Sequence, residues 1–251
     1  MIVFALAVGL AASGFWMVHR FIESKEQKNS FHELAEAVLL EKPSIPAQSE
    51  PDEDQEPVQE PPAGEPVRHG PEVLHDIAAL REKNADALGW IRVPDTVINY
   101  PLMWTPDQPE KYLHLDFQGA YSDYGVPFLD ARCTLDSANL ILYGHNMYDG
   151  SMFAGLHKYL DADYLDAHRQ IILETADGGR EYRAFIVCRA NVQTSGIYKY
   201  IDEPSEFLDA VRSDSMIFTE PDKSAKHFIT LSTCGGWNRS ERVVVIGEEI
   251  T

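Results

Sequence analysis

The chain has 251 residues, with 40 acidic against 21 basic side chains and a formal net charge of −19. This balance argues against a nucleic-acid binder, which needs a basic face to neutralise phosphates, and disfavours adhesion to an anionic lipid surface. The apolar share of 44% is ordinary for a globular protein, and three cysteines are too few for a disulfide scaffold.

Residues 1–18 carry no charged side chain. A helix of that length spans roughly 27 Å, close to a hydrocarbon core of about 30 Å. We therefore expect a membrane anchor or signal segment over 1–20 and a short juxtamembrane segment over 21–40. Basic residues follow the apolar run and none precedes it, so the positive-inside rule alone places the rest of the chain in the cytoplasm. Basic residues upstream of Met1 would reverse that orientation.

Residues 41–71 hold eight prolines and eight acidic residues against two basic ones. Such a segment buries too little apolar surface to offset the entropy of ordering, and proline with like charge keeps a chain extended. We expect an acidic, proline-rich linker here, followed by a folded domain over 72–251.

Within that domain, an amphipathic helix ending near Gly89 is predicted by apolar residues at near-helical spacing: Val73, Ile77, Leu80 and Leu88. Seven short strand-like runs follow, at 89–93, 97–100, 140–143, 170–173, 183–187, 227–231 and 242–246. Many short strands separated by turns favour a closed or nearly closed β-barrel. A further helix is predicted over residues 205–211, with Ser205 near its N-cap.

Cys234 stands where a nucleophile would be reachable. It ends the run Thr-Leu-Ser-Thr-Cys at 230–234, which overlaps the predicted strand 227–231, and precedes Gly235 and Gly236. A thiol reacts as the thiolate, so such a site needs a lowered thiol pKa or a neighbouring base. The alternative is a core cysteine on a buried strand, since free cysteine is among the most buried residue types.

His145 follows the apolar run 142–144 and is a candidate partner for that thiol. Histidine is the usual acid–base group because its pKa is easily moved across neutrality. A solvated turn histidine is the alternative.

Arg242 opens the strand after the 235–241 loop, eight positions beyond Cys234. A guanidinium at this end of the barrel would stabilise an oxyanion in acyl transfer. A loop arginine paired with Glu241 is the alternative, and Arg239 competes for the role.

No metal site is expected, because the sequence contains no CxxC, HxxxH or HExxH spacing. Cys133 and Cys188 are interpreted as structural, with a disulfide between them left open. The stretch 144–153 is expected to shape a cleft rather than to bind phosphate.

Together these residues resemble the sortase family. Thr-Leu-Ser-Thr-Cys at 230–234 resembles its TLxTC motif, and Leu-Tyr-Gly-His-Asn-Met at 142–147 resembles the segment that holds its catalytic histidine. Arg242, before three valines, resembles the arginine that opens its last strand. Five segments are similar to class B members in particular: 86–91, 98–101, 112–117, 124–130 and 146–153. The resemblance covers about residues 72–251.

The resemblance implies a mainly β fold with accessory helices: a closed barrel of about eight strands, an N-terminal helix, and a helix-containing insertion before the cysteine strand. It also implies a cysteine transpeptidase that needs no metal or organic cofactor. Such an enzyme is anchored in the cell membrane by a single N-terminal span, with its catalytic domain outside the cell. This placement follows from the family's secreted substrates and runs against the charge rule above.

In the family's reaction, Cys234 would attack the carbonyl after the threonine of an LPxTG-like or NPxT-like C-terminal sorting signal. His145 would protonate the leaving amine and then deprotonate the incoming one, while Arg242 would hold the substrate and stabilise the oxyanion. The acceptor amine would come from a peptidoglycan precursor or a pilin lysine. Ser232 and Thr233 are expected to line the substrate groove.

One residue departs from the pattern: Gly236 stands where some class B members have an acidic residue, so no role for that carboxylate is carried over. The choice of Arg242 over Arg239 rests on the strand that follows it. The alternatives are a pilin-polymerising sortase, a cysteine peptidase that releases the acyl group to water, and a non-catalytic anchored β-barrel binding module.

Overall fold

The computed structural model describes residues 2–40, 70–199, 203–222, 224–234 and 240–250, and says nothing of the side chains of 2–12 and 234. Within these ranges the helices are α1 (Ile2–Ala37), α2 (Ile77–Lys83), α3 (Ala162–Ala167) and α4 (Pro204–Arg212). The strands are β1 (Ala87–Arg92), β2 (Asn99–Met103), β3 (Phe128–Leu129), β4 (Asn139–Gly144), β5 (Gln170–Thr175), β6 (Gly178–Asn191), β7 (Ser215–Phe218), β8 (Phe228–Cys234) and β9 (Glu241–Glu249). Short 3₁₀ turns lie at Lys111–Leu113, Ala154–Leu160 and Gly196–Tyr198.

Eight of these strands close into a barrel, in the order β5-β1-β2-β3-β4-β8-β9-β6. The ring is completed by antiparallel pairing of β5 with β6, from Gln170 opposite Arg183 to Thr175 opposite Gly178. β7 pairs with β6 outside the ring. Closure leaves the ring without unpaired sheet edges. The predicted barrel of about eight strands is confirmed.

The barrel has a core inside and a second apolar layer outside. Along β9, Val243 and Val245 belong to the interior core, whereas Val244 and Ile246 pack outward. The outer layer includes Phe207 of α4, because the segment between β6 and β8 folds back over the sheet. Burial of both faces explains why this strand has a continuous apolar sequence. The helix-containing insertion predicted before the cysteine strand is therefore present.

The helix predicted to end near Gly89 is shorter than expected. Asp76 caps its start by accepting a hydrogen bond from the Ala79 N–H. The helix ends at Lys83 because Asn84 leaves helical geometry and binds the Tyr112 hydroxyl and the Phe117 carbonyl through its side-chain amide. The prediction that Leu88 belongs to this helix is wrong, since Leu88 lies in β1.

Helix α1 packs against the barrel through the buried side chains of Phe31 and Leu34, and Val38, directly after the helix, is buried with them. Its end lies beside the start of the barrel domain: the Leu40 N–H donates to the Leu74 carbonyl (2.8 Å), and the Asp76 N–H donates to the Val38 carbonyl (2.6 Å). The described residues on either side of the segment 41–69 are therefore held together at one place. Judged on the described residues, no helix combines the length and apolar character needed to cross a bilayer.

Candidate active site

Strand pairing brings the three predicted catalytic residues to one end of the barrel. β4 and β8 run parallel, and Gly144 lies opposite Thr233 at their carboxyl ends. His145 directly follows Gly144, and Cys234 directly follows Thr233. β9 pairs antiparallel with β8, and Arg242 lies opposite Cys234. Since neighbouring strands lie about 4.8 Å apart, the backbone of Cys234 is flanked by both partners.

A cleft of about 560 Å³ opens at this end. Its lining includes four of the predicted residues: His145, Ser232, Thr233 and Arg242. It also includes residues that the sequence analysis did not single out, chiefly Asp130, Arg132, Tyr143 and Tyr198. The Cys234 side chain, Arg239, Gly235 and Gly236 lie outside the described part of the chain. Of Cys234 the structure describes the backbone, at the end of β8.

One hydrogen bond sets the orientation of the His145 ring. Its Nε2 lies 2.7 Å from the carbonyl oxygen of Leu113, at the end of the first 3₁₀ turn. A carbonyl only accepts, so Nε2 carries the hydrogen and the lone pair of the neutral ring lies on Nδ1. A ring held in this way offers Nδ1 for proton transfer, as general acid–base catalysis requires.

Gly144 fixes the backbone that leads into His145. A Cβ at this position would lie 2.6 Å from the ring of Phe153, too close for any side chain. The Phe153 N–H in turn donates to the His145 carbonyl oxygen, at 2.8 Å. The close approach of ring and backbone explains the glycine in the Leu-Tyr-Gly-His segment.

A paired carboxylate forms one wall of the cleft. Asp130 accepts hydrogen bonds from Arg132 Nε (2.9 Å) and Nη2 (2.7 Å), and from the Tyr143 hydroxyl (2.9 Å). Burial raises the pKa of the Asp130 carboxyl, but the bonds from Arg132 and Tyr143 outweigh it and hold that pKa below its usual value. Asp130 is therefore ionised and paired at neutral pH.

The adjacent part of the wall joins β8 to the insertion. The Ser232 hydroxyl and the Tyr198 hydroxyl lie 2.8 Å apart, and the Tyr198 ring stacks on Tyr143 with centroids 6.5 Å apart. Thr233 is buried, and its hydroxyl has no hydrogen-bond partner among the described residues. A buried unpaired hydroxyl is costly unless a ligand supplies the missing partner.

Arg242 lies in the cleft wall as predicted. Its Nη1 donates to the backbone carbonyl of Glu241, at 2.9 Å. That bond orients the guanidinium, a group whose N–H donors suit an anion or a carbonyl oxygen.

Cys133 and Cys188 are both buried free thiols, so the disulfide left open between them is not formed. Burial raises the pKa of each thiol, that of Cys188 to about 12. Cys133 also donates to the Asn139 carbonyl oxygen, at 3.4 Å. Both environments favour the neutral thiol, which is the unreactive form.

Among the residues that the structure describes, no group of three or more histidine, cysteine or acidic side chains is arranged to hold a metal ion.

Comparison with known proteins finds the sortase domain model matching residues 91–250. Sortase B of Listeria monocytogenes serovar 1/2a is 35% identical over 188 residues, covering 72% of this chain and 76% of its own. The crystal structure of sortase B from B. anthracis in complex with AAEK1 matches with TM-score 0.67 and 27% identity, over 92% of this chain and 99% of its own. The Staphylococcus aureus sortase B–substrate complex matches with TM-score 0.62 and 28% identity, over 70% and 84%.

Proposed function

The chain belongs to the sortase family as a class B cysteine transpeptidase, and on that premise we propose that Cys234 is its nucleophile, acting on C-terminal sorting signals of secreted proteins. One observation carries the assignment: the pairing of β4, β8 and β9 sets Cys234 beside His145 and opposite Arg242. Buried Cys133 is the alternative nucleophile, and its raised thiol pKa argues against it.

The proposed reaction has two halves that use the same groups. The Cys234 thiol gives its proton to His145 Nδ1, and its sulfur attacks the carbonyl carbon at the scissile bond. The carbon–nitrogen bond then breaks, and His145 returns the proton to the leaving amine, leaving a thioester on Cys234. An incoming amine next loses a proton to His145 and attacks the thioester. The carbon–sulfur bond breaks as the new amide forms, and His145 gives the proton to the departing thiolate, which restores the thiol.

Arg242 and the cleft walls hold the substrate during these steps. The Arg242 guanidinium is proposed to stabilise the negative charge on the carbonyl oxygen in each tetrahedral intermediate. The unpartnered Thr233 hydroxyl is proposed to bind a polar group of the sorting signal, of the LPxTG-like or NPxT-like kind. The structure of S. aureus sortase B as a substrate complex supports the proposal that this chain also binds a substrate.

We also propose that the N-terminal segment over 1–20 anchors the enzyme in the cell membrane with the barrel outside. In α1, large apolar side chains are exposed at Phe15, Trp16, Met17 and Val18. A contiguous exposed apolar stretch is typical of a lipid or protein contact. The secreted nature of the proposed substrates supports the extracellular placement.

Product analysis tests the function. The full chain in mild detergent is given LPxTG-like and NPxT-like peptides, with a glycine-type amine as the peptidoglycan mimic or a lysine peptide as the pilin mimic. Mass spectrometry is expected to find the peptide joined to one amine. His145→Gln is expected to lose about 10²–10⁴-fold in rate, because glutamine cannot shuttle a proton. His32→Gln is the control, because His32 is exposed on α1 and is not among the residues that line the cleft. Release to water alone with every amine would favour the peptidase, and no turnover with any peptide would contradict the proposal.

A further inference from the structure

The loop over residues 145–153, which begins at His145, is closed at its base. Asn146 and Met152 form an antiparallel bridge, and the Phe153 N–H donates to the His145 carbonyl oxygen. Met152 has φ of 54°, in the left-handed region that a methionine rarely adopts. It is kept there by burial and by its N–H, which donates to the Tyr100 hydroxyl at 2.9 Å. Movement of one part of such a closed loop is passed to the rest.

Asp149, at the tip of this loop, joins it to helix α1. One carboxylate oxygen accepts from the N–H and hydroxyl of Ser151, inside the loop. The other oxygen accepts from the Ser24 hydroxyl and lies 3.1 Å from Lys28 Nζ. Ser24 and Lys28 are four residues apart, so they project from one face of the helix.

Helix α1 also reaches the closing end of the loop. The buried Phe31 ring meets the Tyr100 ring edge-on, with centroids 5.2 Å apart. Tyr100 holds Met152, as described above. The helix thus contacts the loop at its tip and, through Tyr100, at its base, while no residue of α1 is among those that line the catalytic cleft.

We propose that Asp149 is a positioning residue: through it, Ser24 and Lys28 of α1 hold the loop that carries His145 and so fix the catalytic imidazole. This inference rests on the proposed role of His145 as the acid–base group. It gives the N-terminal helix a part in catalysis at a distance from the substrate.

The size of the effect follows from the exposure of the contact. The Lys28 side chain is 52% exposed, and an exposed ion pair contributes little to stability. Catalysis is more sensitive, because a misplacement of about 1 Å can cost up to about 10²-fold in rate. Loss of the contact should therefore slow acylation while leaving folding and substrate binding nearly unchanged.

Nuclear magnetic resonance of the His145 ring tests the contact without requiring turnover. The full chain in detergent carries ring-labelled histidine, with the His145 signal assigned by its loss in His145→Gln. We expect this signal to shift or broaden in Lys28→Ala and in the Ser24→Ala, Lys28→Ala double variant. It should stay in place in Lys25→Ala, an exposed lysine of the same helix, and return with Lys28→Arg. An unmoved signal in the double variant would overturn the proposal.

Acylation kinetics give the second readout. At saturating peptide, the acylation rate constant of the double variant should fall about 3- to 10-fold with KM unchanged. A fall of equal size in Lys25→Ala, or a change confined to KM, would argue for a general structural role instead. If the catalytic assignment is wrong, the wild-type chain will form no adduct at Cys234. Even then, the His145 ring signal still tests whether α1 holds the loop.

Discussion

Thr233 is buried in the cleft wall with a hydroxyl that meets no hydrogen-bond partner among the described residues. Its neighbour Ser232 is equally buried but is bonded to Tyr198. Ser232 and Thr233, which were predicted together, therefore have different roles. Ser232 connects the insertion to the barrel, and Thr233 carries the hydroxyl that is proposed to bind the substrate.

We expect Thr233→Val to lower kcat/KM by about 2- to 13-fold, since it removes a bond worth about 0.5–1.5 kcal/mol to the substrate, and to leave stability unchanged or slightly higher. Thr230→Val is the control on the same strand, because the Thr230 hydroxyl already donates to the Asn139 side chain at 2.8 Å. The control should lose stability and keep its kinetics. Peptide turnover and urea unfolding measure both, and a Thr233→Val enzyme with wild-type kcat/KM would remove the proposed contact.

His145 and Arg242 could be placed near Cys234 from the sequence because each stands at one end of an apolar strand run, whereas Ser232 and Thr233 were assigned through the resemblance to sortases. The side chains that complete the cleft had no such signal. Asp130 and Tyr143 meet through the pairing of β3 with β4, and β3 has only two residues. Tyr198 arrives from the insertion, 34 positions from its partner Ser232. Contacts of this kind depend on tertiary packing, and no local periodicity reports them.

At the scale of elements, the well-predicted strands are those buried on one or both faces. β8 and β9 have continuous apolar runs, which reveal them in the sequence. β3, with two residues, and β7, with four, are too short to show an alternation. The end of α2 was missed because it is set by the long-range bonds of Asn84 to Tyr112 and Phe117.

The junction between β4 and the His145 loop gives a prediction for Gly144→Ala. The added methyl would meet the Phe153 ring at 2.6 Å, so backbone and ring must separate. We expect a loss of about 1–3 kcal/mol in stability and at least a tenfold fall in acylation rate. Gly155→Ala is the matched control, because its methyl would lie 3.6 Å from Val97, an ordinary contact. Thermal unfolding and acylation rates check both variants, and equal behaviour of the two would contradict this account of Gly144.

At the scale of the whole molecule, a buried carboxylate joins the residues that precede α2 to the barrel. Glu174 of β5 accepts from the N–H groups of Leu74 and His75, from the His75 ring, and from Arg92 Nε at 2.7 Å. Burial raises the pKa of the Glu174 carboxyl, but the bonds from His75 and Arg92 outweigh it and lower that pKa.

A lowered pKa in the folded state means that the Glu174 contribution is complete above the ordinary glutamate value of 4.5 and is lost as pH falls through the folded value. We expect Glu174→Gln to lower the free energy of unfolding at pH 7 by about 3 kcal/mol. The difference in free energy of unfolding between wild type and Glu174→Gln should become smaller as the pH falls below 4.5. Urea unfolding across pH measures it, with the surface residue Glu181→Gln as control. A difference in free energy of unfolding that stays constant with pH would show that the charge on Glu174 does not stabilise the fold.

The acidic linker leads to a second whole-molecule prediction. The residues that flank the segment 41–69 are joined by the bonds of Leu40 to Leu74 and Val38 to Asp76. The length of the segment therefore does not set the distance between α1 and the barrel. Halving the segment 41–69 should raise the free energy of unfolding by only about 0.6 kcal/mol, through reduced loop-closure entropy. Leu40→Pro, which removes one bond of the junction, should destabilise instead. Urea unfolding measures both variants. A loss of several kcal/mol in the shortened chain would show that the segment itself packs on the fold.

The most direct test of the central claim is the site of the thioacyl adduct. The full chain, Cys234→Ala and Cys133→Ala are each mixed with a reactive sorting-signal peptide without amine, and intact mass and peptide mapping locate the bound acyl group. We expect the adduct on wild type and on Cys133→Ala, attached at Cys234 and lost when amine is added, and none on Cys234→Ala. An adduct that survives Cys234→Ala and disappears in Cys133→Ala would move the nucleophile to Cys133 and contradict the catalytic site built from β4, β8 and β9.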